Sequence, residues 1–422
     1  VDSVEKAKRE WATEVKDDES GDSRRESDAG SNRAVGGAAL PRFLVLLFAV
    51  ACGAAVANIY YAQPLLDDLA VAFGMAHATI GIVITVTQIC YAMGLILLVP
   101  LGDRVNQRRL ILGQMLLSAL SLAAVGLAPT SAVLLAGIAA VGLLAVVTQT
   151  LVAYAATLAS AAERGRVIGL VTSGIVIGIL LARTVAGVMT DLAGWRSVYL
   201  GSAALTLLMV GILYRSLPNA VKRDGAPLSY ARLLRSVFLL LAQERILRIR
   251  GVLALLIFTA FSTLWTSLVL PLGAPPLSLT HSEIGAFGLA GVAGALAAAK
   301  AGRLADRGRG QRTTGVALGL LLASWLPIGF AERSLGVLIV GIVVLDFAVQ
   351  AVHVTNQSLI LSVRPESRSR LTAVYMVFYS IGSAAGSIAS TAIYAYEGWT
   401  GVCLFGAAVS ACALLFWAWT RR

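Results

Sequence analysis

Residues 192–208 read LAGWRSVYLGSAALTLL, and 204 positions later residues 396–412 read YEGWTGVCLFGAAVSAC. In both copies a Gly-Trp pair, Gly194-Trp195 and Gly398-Trp399, interrupts apolar sequence, and a run of small and aliphatic residues follows. The same offset carries Gly178 onto Gly382, and Arg164 and Arg166 onto Arg368 and Arg370. Earlier in each half, GDRVNQRR at 102–109 and LADRGRGQR at 304–312 correspond at an offset of 203. One period recurring at separate places is the mark of a duplication.

The solvent of both halves is lipid. Hydrophobic residues fill 58% of 422 positions and charged residues only 14%, against roughly 25% charged in an average soluble domain. Eighteen of the 57 Asp, Glu, Lys and Arg lie in the first 42 residues, which leaves too few to wet the remaining surface. A bilayer core of about 30 Å takes close to 20 apolar residues per helix. Such runs fall approximately at 43–65, 80–101, 109–128, 131–156, 166–190 and 194–216. A second set follows at 250–273, 283–300, 311–330, 334–361, 371–395 and 398–419. The expectation is an all-α membrane protein with twelve transmembrane helices in two six-helix, pseudo-symmetric bundles. Residues 1–42 form a disordered tail in this reading, 43–216 the first bundle, 217–249 a linker and 250–422 the second bundle.

Charge placement orients the chain. Of 26 Lys and Arg after residue 42, 23 fall on one side of the spans. Arg196 and Arg333 lie on the other, and Arg183 lies inside a span. The positive-inside rule then places both termini, the linker and the Asp-Arg loops in the cytoplasm, as an even number of spans requires. The localisation expected is the inner (plasma) membrane, crossed many times. The net charge of +11 does not signal nucleic acid, because the bases sit in short clusters between apolar runs. The forty polar residues at the start lead us to expect no cleavable signal peptide. Cys52, Cys90, Cys403 and Cys412 lie in apolar segments without metal-ligand spacing and read as small buried hydrophobes. A phosphate-cradling Gly-x-x-x-x-Gly-Lys-Ser/Thr loop is absent, as are a His-Glu-x-x-His pair and a soluble catalytic domain. We therefore expect no ATP hydrolysis, no metal, no cofactor and no enzyme activity.

The most specific chemistry lies in the two loops that follow spans two and eight. Each sets an acid and an arginine before further bases: Asp103, Arg104, Arg108 and Arg109, then Asp306, Arg307, Arg309 and Arg312. A carboxylate there can accept from a helix N-terminus, and the arginines can bond carbonyls or carboxylates of the other half. The cluster reads as a cytoplasmic gate that latches and releases; the bases alone would serve only to fix topology.

In these loops the chain resembles the major facilitator superfamily, over essentially all of 43–419. That family's loop runs Gly, three residues, Asp, Arg, one residue, Gly, one residue and two bases. Asp103, Arg104, Arg108 and Arg109 match it, with Val99 and Asn106 in place of the glycines. In the second copy Gly302, Asp306 and Arg307 match, and the later glycines are displaced to Gly308 and Gly310. NIYYAQPLL at 58–66 and GILLARTVAGVMTDLAGWR at 178–196 are similar to the drug and sugar efflux members of the proton-antiporter branch. Two departures stand out. Ile138 occupies the place of that branch's buried arginine in span four, and Ala182, Arg183, Ala186 and Gly187 replace its Gly-Pro and Gly-Gly pairs.

Ionisable residues inside spans are expensive and mark function or a partner. Arg183 in span five either meets a substrate group or carboxylate, or snorkels to the headgroups. In span ten Asp346, Gln350, His353 and Gln357 recur at helical steps and share a stripe. Burial favours a neutral carboxyl and His titrates near neutrality, so Asp346 and His353 suit proton coupling; a polar seam between helices is the alternative. Asn58, Tyr60, Tyr61, Gln63, Gln88 and Gln149, with Gln350, Trp265, Tyr375 and Tyr379, are candidates for lining a substrate cavity; interfacial anchoring is their other reading. Gly178 and Gly187 suit close helix packing.

The expected activity is secondary active transport by alternating access, with proton-coupled efflux of a small drug- or sugar-like molecule. Proton-coupled uptake on the same fold is the alternative, and a non-transporting sensor or scaffold the third. Partners implied are a small-molecule substrate, protons and the bilayer.

Overall fold

Gly194 and Gly398 both take positive φ, 75° and 62°, a conformation that side-chain-bearing residues adopt with strain. In each half the chain turns there between two long helices, and the tryptophan that follows is buried. The quoted repeat is thus one turn built twice. A computed structural model describes residues 40–160, 163–218, 230–291, 301, 309–331, 333–361, 363 and 368–421. Leu40–Arg422 forms one unit.

The first half comprises α1 (Arg42–Ala57), α2 (Leu66–Phe73), α3 (Ile82–Leu97), α4 (Gln107–Gly126), α5 (Ser131–Leu144), α6 (Val147–Leu158), α7 (Arg164–Ala193) and α8 (Trp195–Ser216). Helix α9 (Tyr230–Gln243) leads into the second half. There follow α10 (Arg245–Ser267), α11 (Val269–Gly273), α12 (His281–Ala286), α13 (Gly310–Ile328), α14 (Leu335–Leu361) and α15 (Arg368–Thr420). Two spans lie within α15, one on each side of Gly398. Among the described residues, eight helical stretches are long and apolar enough to cross a membrane, the merged one included. Helices are the expected solution, since a backbone in lipid must satisfy its polar groups internally.

Several spans differ in outline from the sequence reading. Span one stops at Ala57, turns, and resumes through a 3-10 turn, Gln63–Leu65, into α2. Pro64, within that 3-10 turn, lacks the N–H that an α-helix would use there. Span four divides between α5 and α6 at 145–146, and span seven begins earlier than expected, at Arg245. Span eight enters through α12 and a 3-10 turn, Phe287–Gly291, and residues 292–300 lie outside the described set. Residues 1–39 of the tail and 219–229 of the linker lie outside it as well, and the rest of the linker is mostly α9 and the first turn of α10.

The duplication persists in the packing. A Cβ on Gly178 would strike the Gly53 backbone of α1, and one on its repeat, Gly382, would strike the Leu255 backbone of α10. Thr259 adds a side-chain hydrogen bond to the Gly382 carbonyl at 3.1 Å. Gly137 packs on Val125 in the first half, as Gly341 packs on Ile328 in the second. Small residues let backbones approach where no hydrophobic force drives helices together in lipid. Gly382→Leu is therefore expected to lower the stability of the purified protein by about 1–3 kcal/mol, as overpacking does. Gly211, whose Cβ would meet nothing within 4 Å, supplies the control Gly211→Leu. Equal melting temperatures for the two variants would contradict this packing role.

Outward faces carry aliphatic side chains such as Leu208, Leu404 and Leu415. Cys412 is exposed among them and Cys90 is half-buried, whereas Cys52 and Cys403 are buried. The expectation of four buried thiols therefore holds for two. A lipid-facing site suits a thiol as well as a core does.

Candidate functional site: a charged centre between the halves

Arg183 does not snorkel. It lies 4% exposed on α7, and its Nε donates to Gln63 Oε1 at 2.7 Å. Gln63 belongs to the 3-10 turn that follows the break in span one. The guanidinium lies 4.0 Å from the centre of the Trp265 ring, 5.1 Å from Tyr60 and 5.7 Å from Phe261. Trp265 and Phe261 come from α10, in the other half. The Trp265 indole N–H then donates to Asp346 Oδ1 of α14 at 3.1 Å. One side chain thus stacks on the buried cation with its face and holds the buried anion with its edge. Stacking on tryptophan is a strong cation–π arrangement. Arg183 Nη2 is buried with no hydrogen-bond partner among the described residues. A crevice of about 10 Å³, the size of one water, borders Gln63, Arg183, Trp265 and Ile284. Gly291 leaves space beside the acid: a Cβ there would lie 3.4 Å from Asp346 Oδ2.

A second string of aromatic groups continues from this centre. The Tyr60 and Tyr379 hydroxyls are 2.7 Å apart and join the halves. Phe258 stands edge-on to Tyr379 and to His353, with ring centroids 4.1 and 5.1 Å apart. His353 Nδ1 is 2.9 Å from the Tyr375 hydroxyl. The partners of His353 all belong to its own half, so the span-ten stripe divides: Asp346 faces across the interface and His353 forms a seam within one bundle. Gln350, between them, is half-buried.

The other cavity candidates also divide. Gln63, Trp265 and Tyr379 meet at the charged centre. Asn58 instead accepts from Ser202 of α8 at 2.7 Å, and Tyr61 is buried beside it. Gln88 is buried, its Oε1 without a partner among the described residues, and Gln149 is half-buried on α6. Phe258 and Phe261 were missed in the sequence, although Phe258, Phe261 and Trp265 recur at steps of three and four, the pattern that singled out span ten.

The halves are fastened at the end that carries the Gly-Trp turns. The Asp191 carboxylate of α7 accepts from the backbone N–H groups of His281 at 3.2 Å and Ser282 at 2.7 Å. His281 Nδ1 is 3.0 Å from Asp191, and its Nε2 is 3.4 Å from Asp68 of α2. A capping box of Thr280 and Glu283 fixes the start of α12 and so aims those N–H groups. Gly187 lies against the His281 carbonyl, and Thr184 Oγ1 donates to the Gly285 carbonyl at 3.0 Å. Thr85 and Thr391 add bonds to the carbonyls of Ala384 and Ala78. None of Asp68, Asp191 and His281 stood out in the sequence as a site. The Thr-x-x-Glu pattern at 280–283 was the one local signal available.

At the opposite end, Asn106 caps α4, its side chain accepting from the Arg109 N–H at 3.3 Å. The residue that replaces a motif glycine therefore serves as a helix cap. Arg108 donates to the Tyr214 carbonyl and covers that ring, a contact within its own half. Arg104 and Arg109 are exposed. Asp306, Arg307 and the Asp103 side chain lie outside the described residues.

Residues 44–325 and 251–422 match the sequence pattern of the Major Facilitator Superfamily. The chain belongs to that superfamily. A putative uncharacterized transporter of Escherichia coli K12, YgaY, is 47% identical over 89% of this chain and 94% of its own length. A probable transporter of Streptomyces coelicolor, SCO4007, is 31% identical over 88% of this chain and 86% of its own length. Among solved structures, an inward-facing bacterial homologue of the human lysosomal transporter Spinster superposes with a TM-score of 0.71 at 14% identity, covering 89% of this chain and 95% of that one. The nucleoside transporter NupG does so with a TM-score of 0.71 at 12% identity, over 89% and 99%. Both superpositions show the fold. Superfamily membership makes the chain a multi-pass membrane transporter, with the twelve spans arranged as two bundles.

Proposed function

We propose that this transporter exports a small organic molecule in exchange for protons, by alternating access, across an inner membrane in which both its termini face the cytoplasm. The observation that carries the reading is the Arg183–Trp265–Asp346 assembly, one buried charge from each half joined through one indole. Opposite charges on separate rocking bodies give a substrate and a proton a shared place to act. Asp346 takes up the proton. Arg183, with a free nitrogen, receives an anionic or acceptor group of the substrate. Tyr60, Tyr379 and Phe261 supply apolar surface for its body. His353 supports Tyr375 and the packing around them.

The conformation is closed at the Gly-Trp end, which faces outward in this reading, as the positive-inside rule suggests. Asp191, His281 and Asp68 form the outer latch, and Asp103, Arg104, Arg108, Arg109, Asp306 and Arg307 the gate on the cytoplasmic side. Ile138, packed in the apolar core where the efflux branch carries arginine, favours uptake as the second reading. Reconstituted liposomes with an imposed pH gradient test both. Substrate flux opposite to proton flow supports exchange, flow in the same direction supports uptake, and flux indifferent to the gradient removes proton coupling.

The latch carries its own prediction. The hydrogen bond to Asp68, helped by Asp191, raises the His281 pKa above its ordinary 6.5. Closure then gains most below that value, where His281 is charged in both states, and loses the gain as pH climbs through the raised value. Ile284→Cys, placed beneath the latch, is expected to react with an impermeant maleimide faster at about pH 8 than at about pH 6. The increase should exceed that of the same cysteine in a His281→Asn background, which corrects for thiol ionisation. Identical pH dependence in both backgrounds would discard the latch.

A further inference from the structure

The second half holds a pocket of about 340 Å³ at the end opposite its Gly-Trp turn, between the first turns of α10 and α13 and the last turns of α14 and α15. Among the described residues, ten line it; three are arginines, Arg245, Arg250 and Arg421, and none is an acid. Arg250 is 4% exposed, and its Nη1 donates to two neutral groups, Thr314 Oγ1 at 3.3 Å and Asn356 Oδ1 at 3.2 Å. Among the described residues its partners are neutral; a buried guanidinium so placed is costly, and a bound anion would relieve that cost. The other charged walls are held in place. Trp417 lies against Gly315, its indole N–H donates to Gln311 Oε1 at 3.1 Å, and the Arg421 guanidinium lies 5.3 Å from its ring centroid. Leu253 and Leu359 make the remaining wall apolar.

We propose that this pocket binds a phosphate-group anion, with the arginines on the phosphate and the apolar wall beside whatever carries it. Planar guanidinium forks match phosphate oxygens two at a time. The pocket opens at the ends of the spans, the depth at which lipid phosphates lie, and basic pockets between membrane helices hold anionic headgroups. A phospholipid accounts for the leucines as well as the arginines; free phosphate accounts for the arginines alone. The site is separate from the charged centre between the halves and does not depend on the direction of transport.

The test uses the full chain, purified in detergent, with brominated phosphatidylglycerol as a quencher of Trp417 and brominated phosphatidylcholine as the neutral comparison. Quenching at lower concentration by the anionic lipid, lost in Trp417→Phe, is the expected result. Arg245 and Arg421 are exposed, so the double variant Arg245→Gln/Arg421→Gln should fold and weaken the anionic lipid roughly twenty-five-fold, about five-fold per arginine. Thr420→Glu, which places a carboxylate among the three bases without removing any, should weaken it too. Relief of quenching by millimolar inorganic phosphate would assign the site to the free anion, and its absence to the lipid headgroup. Equal quenching by both lipids together with no effect of phosphate, or unchanged affinity in the double variant, would overturn the proposal.

Discussion

Asp346→Asn is expected to reduce pH-gradient-driven flux in liposomes to the level of protein-free vesicles while leaving a folded protein that still exchanges substrate for substrate. The side chain is 4% exposed and bonded to the Trp265 indole at 3.1 Å. An amide oxygen can accept that same hydrogen bond, so the local structure survives. Exchanging a charged for a neutral acceptor loses about 1–2 kcal/mol, and the Arg183 cation left without its opposite charge adds a further cost that the Gln63 carbonyl and the surrounding rings partly offset. What an amide cannot do is alternate between a charged and a neutral form. If proton uptake at Asp346 permits the halves to rock, removing titration removes coupling and leaves substrate exchange intact. Arg183 adds weight to that separation, because its cation is the nearby charge that responds when Asp346 gains or loses a proton. Gradient-driven flux at the wild-type rate would end the assignment. Loss of both driven flux and exchange, with unchanged melting, would make Asp346 part of substrate binding instead.

The duplication was legible in the sequence because its determinants are local. Gly194 and Gly398 declare a turn that needs positive φ, and Gly178 and Gly382 declare a close approach, whatever the rest of the chain does. The buried charges were legible for a related reason: an Arg or Asp within an apolar run stands out against lipid. Their connection was not. Trp265 joins residues 81 positions away in one direction and, through its face, a helix of the other half in the other, and no spacing rule encodes such a meeting. The latch at the Gly-Trp end was harder still. Asp68, Asp191 and His281 are ordinary polar residues in sequence, and their role arises only because helix ends of the two halves are brought together. Asn58 shows the converse. Its place in an attractive polar run suggested a cavity, yet Ser202, 144 residues away, takes it into a helix seam.

Arg183→Gln is expected to weaken substrate binding by roughly 10- to 150-fold, the loss of a hydrogen bond to a charged group of about 1.5–3 kcal/mol. Two features of the site lead there. The Nη2 nitrogen is buried without a partner among the described residues, while Nε is already committed to Gln63. The ring of Trp265, its centroid 4.0 Å from the guanidinium carbon, packs against the cation and leaves it little rotamer freedom to lose. Arg183→Lys keeps the charge but gives up the planar fork and its stacking, and should recover only part of the affinity. Stability separates binding from structure. Removing the cation leaves Asp346 buried without its opposite charge, so Arg183→Gln should also destabilise the protein, and Arg183→Gln/Asp346→Asn should recover that stability because neither charge remains unbalanced. The double variant should nevertheless stay deficient in binding. Wild-type affinity in Arg183→Gln would confine Arg183 to balancing Asp346, and recovery of both stability and binding in the double variant would show that the substrate never touches the guanidinium.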